Sequence, residues 1–175
     1  MLLDDIKQRL KLDNLEVKDN KYEDILDLYK GNEEFAKLSN NYPVTMENVK
    51  RDIEDIPPFT DSARNHFISI YNIQNELVAV LDIIDGYSFQ DANNKNAIWI
   101  GLLEIDKNRQ NIGLGSLIIN DLFDVCKNNR KTIVQLGVIK ENIKALDFWN
   151  KIGFEIFREG SNGEFDLFLM EKSIR

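Results

Sequence analysis

The chain is 175 residues long, carries a formal net charge of −8 and holds one cysteine, with 43% hydrophobic and 30% charged residues. That length suits a single domain with its own core. The acidic balance leaves no cationic surplus for a phosphate backbone, which argues against nucleic acid as a partner. A lone cysteine forbids an internal disulfide and fits a reducing compartment.

The start, Met1-Leu2-Leu3-Asp4-Asp5, lacks the basic end and long apolar run of a signal peptide, and no segment has the length of a bilayer span. The expected location is therefore cytoplasmic, with no membrane partner. Leu2, Leu3, Ile6 and Leu10 recur at helical spacing, so Met1 to Leu12 reads as a short amphipathic helix added at the N-terminus. Leu15-Glu16-Val17 reads as an edge strand. Tyr22 to Tyr29 is helical through Ile25, Leu26 and Leu28 with Gly31 as its stop, and Asn32 to Leu38 continues as a second helical piece. Asn40-Asn41-Tyr42-Pro43 breaks the pattern. Thr45 with Asn48 opens a further helix carried by Val49 and Ile53 and ended by Pro57-Pro58. Strand patterning follows: Phe67 to Tyr71 and Leu77 to Ile84 read as a hairpin about Asn72–Glu76. His66 has no cysteine or acid at metal-ligand spacing, and no metal is expected. Asp85 to Asn96 is a polar loop containing Gly86.

Ala97 to Leu103 is an unbroken apolar run that continues through Glu104-Ile105, the mark of a strand covered on both faces. The connection Asp106-Lys107-Asn108-Arg109 leads to Gln110-Asn111-Ile112-Gly113-Leu114-Gly115-Ser116, after which Leu114, Leu117, Ile118, Leu122 and Val125 mark a helix. Cys126 lies on that apolar stripe and reads as core. A glycine-bearing turn from a buried strand into a helix gathers unpaired amides and partial positive charge at one spot, which is an anion site. A dinucleotide fingerprint needs glycine where Ile118 stands, and a phosphate loop needs lysine before Ser116; neither is present. Thr132 to Val138 is a strand rich in branched residues. Asn142 opens a helix that Gly153 closes, and Phe154–Arg158 with Phe165–Met170 form a last hairpin around Gly160-Ser161-Asn162-Gly163. The succession strand, two helices, three strands, helix, strand, helix, two strands is α/β with a mixed sheet.

The spacing Q-x-x-G-x-G after a buried strand, Gln110 to Gly115, resembles the pyrophosphate-binding motif of the GNAT superfamily of acyl-CoA-dependent N-acyltransferases. Asn142-x-x-Ala145-x-x-Phe148-Trp149-x-x-x-Gly153-Phe154 resembles that family's second signature, in the right order and at about the right distance. The resemblance implies a mixed, mostly antiparallel central sheet with helices on both faces and a splayed strand pair at the CoA site. It implies one domain over residues 1–175, with 1–14 as an N-terminal extension. Gln110, Asn111, Ile112, Gly113, Leu114, Gly115 and Ser116 would cradle the pyrophosphate. Leu103, Glu104 and Ile105 would pair with the pantetheine arm, and Asn142 would bond it from the far side. Phe148 and Trp149 would pack against the cofactor. The implied reaction moves an acetyl group from acetyl-CoA to the amine of a small molecule or a peptide N-terminus; a non-catalytic acyl-CoA sensor of the same fold is the alternative. A homodimer is allowed for.

Such a reaction needs orientation, oxyanion stabilisation by strand amides, and a base for the ammonium proton. Glu104, an acid in an apolar strand, must reach solvent or a cleft and is the candidate base. Asp82 and Asp85, at the end of a neighbouring strand, are the alternative bases or else hold a cationic acceptor. The acceptor is expected against the Phe35–Pro58 region and the Asp85–Asn96 loop, where the acidic residues Glu33, Glu34, Asp52, Asp55 and Asp91 permit a positively charged substrate. The family's usual acid is a tyrosine where this chain has Trp149, whose indole has no proton to give at useful pKa. Tyr87 or a water is left for that role.

Overall fold

The computed structural model describes residues 1–175. In chain order the elements are α1 (Leu2–Leu12), β1 (Glu16–Lys18), α2 (Tyr22–Gly31), α3 (Glu33–Leu38), α4 (Met46–Glu54), β2 (Asn65–Tyr71), β3 (Leu77–Asp85), β4 (Ala97–Ile105), α5 (Leu114–Asn128), β5 (Ile133–Ile139), α6 (Ile143–Ile152), β6 (Glu155–Ser161) and β7 (Asp166–Ser173). The strands form one sheet in the order β1-β2-β3-β4-β5-β7-β6, antiparallel throughout except for the parallel pair β4–β5. A parallel pair needs a crossover, and α5 supplies it. The expected α/β class, with a mixed and mostly antiparallel sheet, is what is found.

Alternation along the strands sends side chains to two cores. Ala79, Leu81, Ile83, Ile98 and Ile100 face α1, α5 and α6, while Tyr71, Leu77 and Val80 face α2 and α4. The N-terminal helix is part of the first core: Leu2, Ile6 and Leu10 are buried against α5. Capping follows local chemistry. Thr45 and Asn48 form a reciprocal capping box on α4, and Asn142 Oδ1 accepts from Ala145 N at 3.1 Å to cap α6.

One ion pair ties α1 down. Arg9 reaches Asp13 at 2.6 Å and Asp121 of α5 at 2.8 Å. Asp121 is only 2% exposed, and burial pushes its carboxyl up to about 6 against the opposing pull of Arg9. Arg9→Ala strands that charge, so the expected result is a Tm lower by roughly 5 °C at pH 8. The loss shrinks at pH 5, where Asp121 takes up a proton and no longer needs its partner; a thermal melt at the two pH values measures both.

No helix is long and apolar enough to cross a membrane.

Candidate active site

Two breaks in the sheet make the site. On the β5 side, β4 is paired only from Ala97↔Ile133 to Ile100↔Leu136, after which β5 runs on with β7 and β4 runs on without a neighbour. On the β3 side, partners shift from Asp82↔Leu102 to Ile83↔Ile100, leaving Gly101 as the extra residue of a bulge. The strands therefore splay just where the bulge re-aims β4. Asp106 N bonds back to Val78 O at 2.9 Å. By alternation, the backbone groups of Leu103 and Ile105 turn toward the open edge, where an extended arm could pair. The Ile105 carbonyl is already taken by Asn32 Nδ2 at 3.0 Å and Gln110 Nε2 at 3.1 Å, which leaves Leu103 as the free peptide of the edge.

The turn after β4 is built to leave donors open. Asp106 caps a short 3-10 turn, Lys107–Arg109, by accepting from Asn108 N at 2.9 Å. Asn111 (φ 61°) and Gly113 (φ 90°) then take the left-handed conformation that reverses the chain into α5. Gly113 is the N-cap and has no side chain to close the helix, unlike Thr45 and Asn142 on their helices. The amides of Gly113, Leu114, Gly115 and Ser116 have no acceptor within the protein. Gly115 is held for a further reason: a Cβ there would lie 3.2 Å from the Phe148 ring. Phe148, from α6, thus packs the two signature helices together. Ile112 is 73% exposed at the tip of the turn. Asn142 spends its oxygen on the cap, and its Nδ2 stays free to donate.

Glu104, read from the sequence as reaching solvent or a cleft, does not lean out to solvent. It is 7% exposed on the α2/α4 side of β4, and its Oε1 accepts from Asn32 Nδ2 at 2.9 Å. Burial pushes its carboxyl up to about 8, with Asp52 adding to the rise and the Asn32 hydrogen bond opposing it. Asn32 sits beyond the C-terminus of α2 and was not singled out by the sequence. No local signal marks it, because its partners stand more than seventy residues away.

Asp82 lies diagonally across the same face. Its side chain folds over Gly101, where a Cβ would meet Oδ2 at 2.5 Å, and its Oδ1 is buried without a partner. Burial and Asp52 push its carboxyl up to about 7. Asp52, Asp55, Asp82, Arg51, Phe67 and Leu102 line a cavity of about 350 Å³ over the bulge. Tyr29 donates to Asp52 at 3.0 Å, and burial with the neighbouring carboxylates raises its hydroxyl well above the ordinary range.

Three sequence expectations need correction. Asp85 is not brought to Asp82: an odd spacing along β3 turns it to the opposite face, where Lys131 pairs with it. Trp149 does not line the cleft but packs between Phe148 and Phe154 in the core, 7% exposed. The acidic residues Glu33 and Glu34 pair with Lys37 and Lys144, so of that set Asp52 and Asp55 alone line the cavity. Tyr87 stacks on Phe59 at 4.6 Å and meets Trp99 edge-on at 5.5 Å, over the closed part of the β4–β5 pair. No three His, Cys, Asp or Glu side chains gather as a metal site.

The sheet thus splits beside an open helix N-terminus, with a buried carboxylate on the splayed strand. The acetyltransferase (GNAT) family model matches residues 22–154, and the chain belongs to that family. Among solved structures it is similar to an acetyltransferase from Thermus thermophilus, at 20% identity and TM-score 0.69, over 91% of this chain and 97% of that one. It is also similar to a GNAT-family acetyltransferase from Staphylococcus aureus, at 17% identity and TM-score 0.63, over 92% and 99% of the two chains. A third similar structure is Ard1 from Thermoplasma volcanium, at 17% identity and TM-score 0.60, covering 93% and 99%. No curated protein sequence matches the chain.

Proposed function

We propose that the chain is an N-acetyltransferase that uses acetyl-CoA and acts on a cationic amine, either a small molecule or a peptide N-terminus. The observation that carries this reading is the meeting, at one end of β4, of four unpartnered amides at the N-cap and first turn of α5, an unpaired strand edge and the buried carboxylate of Glu104. In it the amides of Gly113 to Ser116 hold the diphosphate. The edge of β4 at Leu103 to Ile105 lines up the pantetheine arm, with Asn142 Nδ2 donating from α6. A strand amide at that edge, that of Leu103, receives the developing oxyanion. Glu104 takes the ammonium proton, directly or through one water; the freed amine attacks the thioester carbon, and the C–S bond breaks as the tetrahedral intermediate collapses. A thiolate of pKa about 8.5 leaves without strong help, with Tyr87 or water as the proton source.

The acceptor reading rests on Asp82, which lines the cavity together with Asp52 and Asp55 and has one buried oxygen without a partner. Asp82→Asn is expected to raise KM for a diamine about tenfold while leaving acetyl-CoA affinity unchanged. Steady-state kinetics on a mono- and a diamine measure it; an equal effect on both would remove Asp82 from acceptor binding. The defining experiment is thiol release from acetyl-CoA stimulated by polyamines, amino acids, aminoglycosides and peptides. A specific observation favours a second reading: α6 presents no proton donor where Trp149 is buried. Tight CoA binding without turnover on any acceptor identifies a non-catalytic acyl-CoA sensor. A cytoplasmic location and a homodimer complete the proposal.

A further inference from the structure

Asn32 is 6% exposed, and both hydrogens of its Nδ2 and its oxygen are engaged. Nδ2 donates to Glu104 Oε1 at 2.9 Å and to Ile105 O at 3.0 Å, while Oδ1 accepts from Gln110 Nε2 at 2.9 Å. This arrangement has one sense only. Turned over, the amide oxygen would face a carboxylate and a carbonyl, and the amide nitrogen would face the Gln110 NH₂ group. Gln110 is itself pinned, since its Nε2 also donates to Ile105 O at 3.1 Å. Three segments distant in sequence, the end of α2, the end of β4 and the start of the anion loop, are thus joined through one side chain.

We infer that Asn32 is a positioning residue for acetyl transfer: its amide fixes the direction of the Glu104 carboxylate and ties it to Gln110, where the diphosphate loop begins. The inference rests on the reading of Glu104 as the base. Of the groups around Glu104, Asp52 from α4 opposes its ionisation, while Tyr29 from α2 and Asp82, diagonal to it on β3, bring no positive charge. The Asn32 donor is the hydrogen bond that favours the charged form a base requires. The contact also holds Glu104 Oε1, which leaves Oε2, with no protein partner, as the oxygen that meets the substrate proton. Gly31, just before Asn32, ends α2 and puts the amide beyond the last helical turn, where it can reach across to β4.

The test is a direct titration of the Glu104 side-chain carboxyl by carbon-detected NMR in wild type, Asn32→Ala and Asn32→Asp. Loss of a hydrogen bond to a charged group is expected to move the Glu104 midpoint up by about one to two pH units in Asn32→Ala. Asn32→Asp keeps the shape and moves it up as well, because a second carboxylate then faces the first. In kinetics, Asn32→Ala lowers kcat about tenfold or more at pH 7, recovers toward wild type at high pH, and changes KM for acetyl-CoA less than about threefold. Gln110→Ala shifts the Glu104 midpoint in the same direction but less, and adds nothing to Asn32→Ala. A Glu104 midpoint within about 0.3 pH unit of wild type in both Asn32 variants overturns the inference. So does a loss of kcat in Asn32→Asp that is equal at every pH. Failure of the underlying reading is recognised separately: Glu104→Gln at full rate removes the base while the Asn32→Asp titration shift persists.

Discussion

Glu104→Gln is expected to lower kcat/KM for acetyl transfer by about 10²–10⁴-fold with little change in CoA affinity. The variant keeps volume and an oxygen for Asn32 to bond, so the site stays assembled and loses only its capacity to accept a proton. The pH dependence carries the sign. Burial pushes the Glu104 carboxyl from an ordinary 4.5 up to about 8, so in the free enzyme the ionised base accumulates only as pH rises toward that value. The kcat/KM profile of the wild type should rise with its midpoint near there and level off above it, and the variant should lack that limb. Stability runs the other way. Between those two pH values the folded chain holds a proton that the unfolded chain has released, so stability declines as pH rises through the window. Glu104→Gln removes that decline and should melt a few degrees higher than wild type above pH 8. Calorimetric melts and a pH-rate profile on the same preparations check both. Wild-type rates in the variant across the whole range would end the assignment.

The second large effect is expected at the anion loop. Gly113 sits at φ 90°, ψ −2°, with open space where a Cβ would go, so Gly113→Ala fails by backbone conformation and not by collision. A left-handed alanine costs about 1–2 kcal/mol, and the chain escapes it by rotating the peptides on either side. Those peptides carry the open amides of α5. CoA affinity should fall roughly tenfold or more, measured by calorimetry with CoA alone. Gly163 provides the control: it lies in the β6–β7 turn at φ 89°, also in open space. Gly163→Ala bears the same backbone strain and should lower Tm similarly while leaving CoA binding intact. Equal CoA affinity in wild type and Gly113→Ala would show that this loop does not grip the diphosphate.

On the proposed reading, the loop that would grip the diphosphate turns on the backbone conformation of Asn111 and Gly113, whereas the cavity proposed for the acceptor is lined by side chains of α4, β2, β3 and β4. Substitutions at Asp52, Asp55 or Asp82 are therefore expected to alter KM for the proposed acceptor while leaving CoA affinity unchanged. Gly101 is the hinge of that division. It is the bulge residue of β4, and Asp82 occupies the space its side chain would need.

What the sequence determined by itself was local. The run Ala97–Leu103, the glycines at 113 and 115, the Thr45/Asn48 pair and the Asn142 cap each express their structure within a few residues, because periodicity and capping act over one or two turns. For the same reason the elements and the anion loop were legible in chain order. The tertiary structure alone decided which side chains share the cleft. Asp82 and Asp85 look equivalent on paper, yet an odd spacing along β3 sends one to the cavity and the other to Lys131. Trp149 occupies a signature position, yet core packing buries it between Phe148 and Phe154. Asn32 carries no motif, and its partners Glu104 and Gln110 lie 72 and 78 residues away. Contacts of that separation are set by how strands pair and helices dock, and no local pattern encodes them.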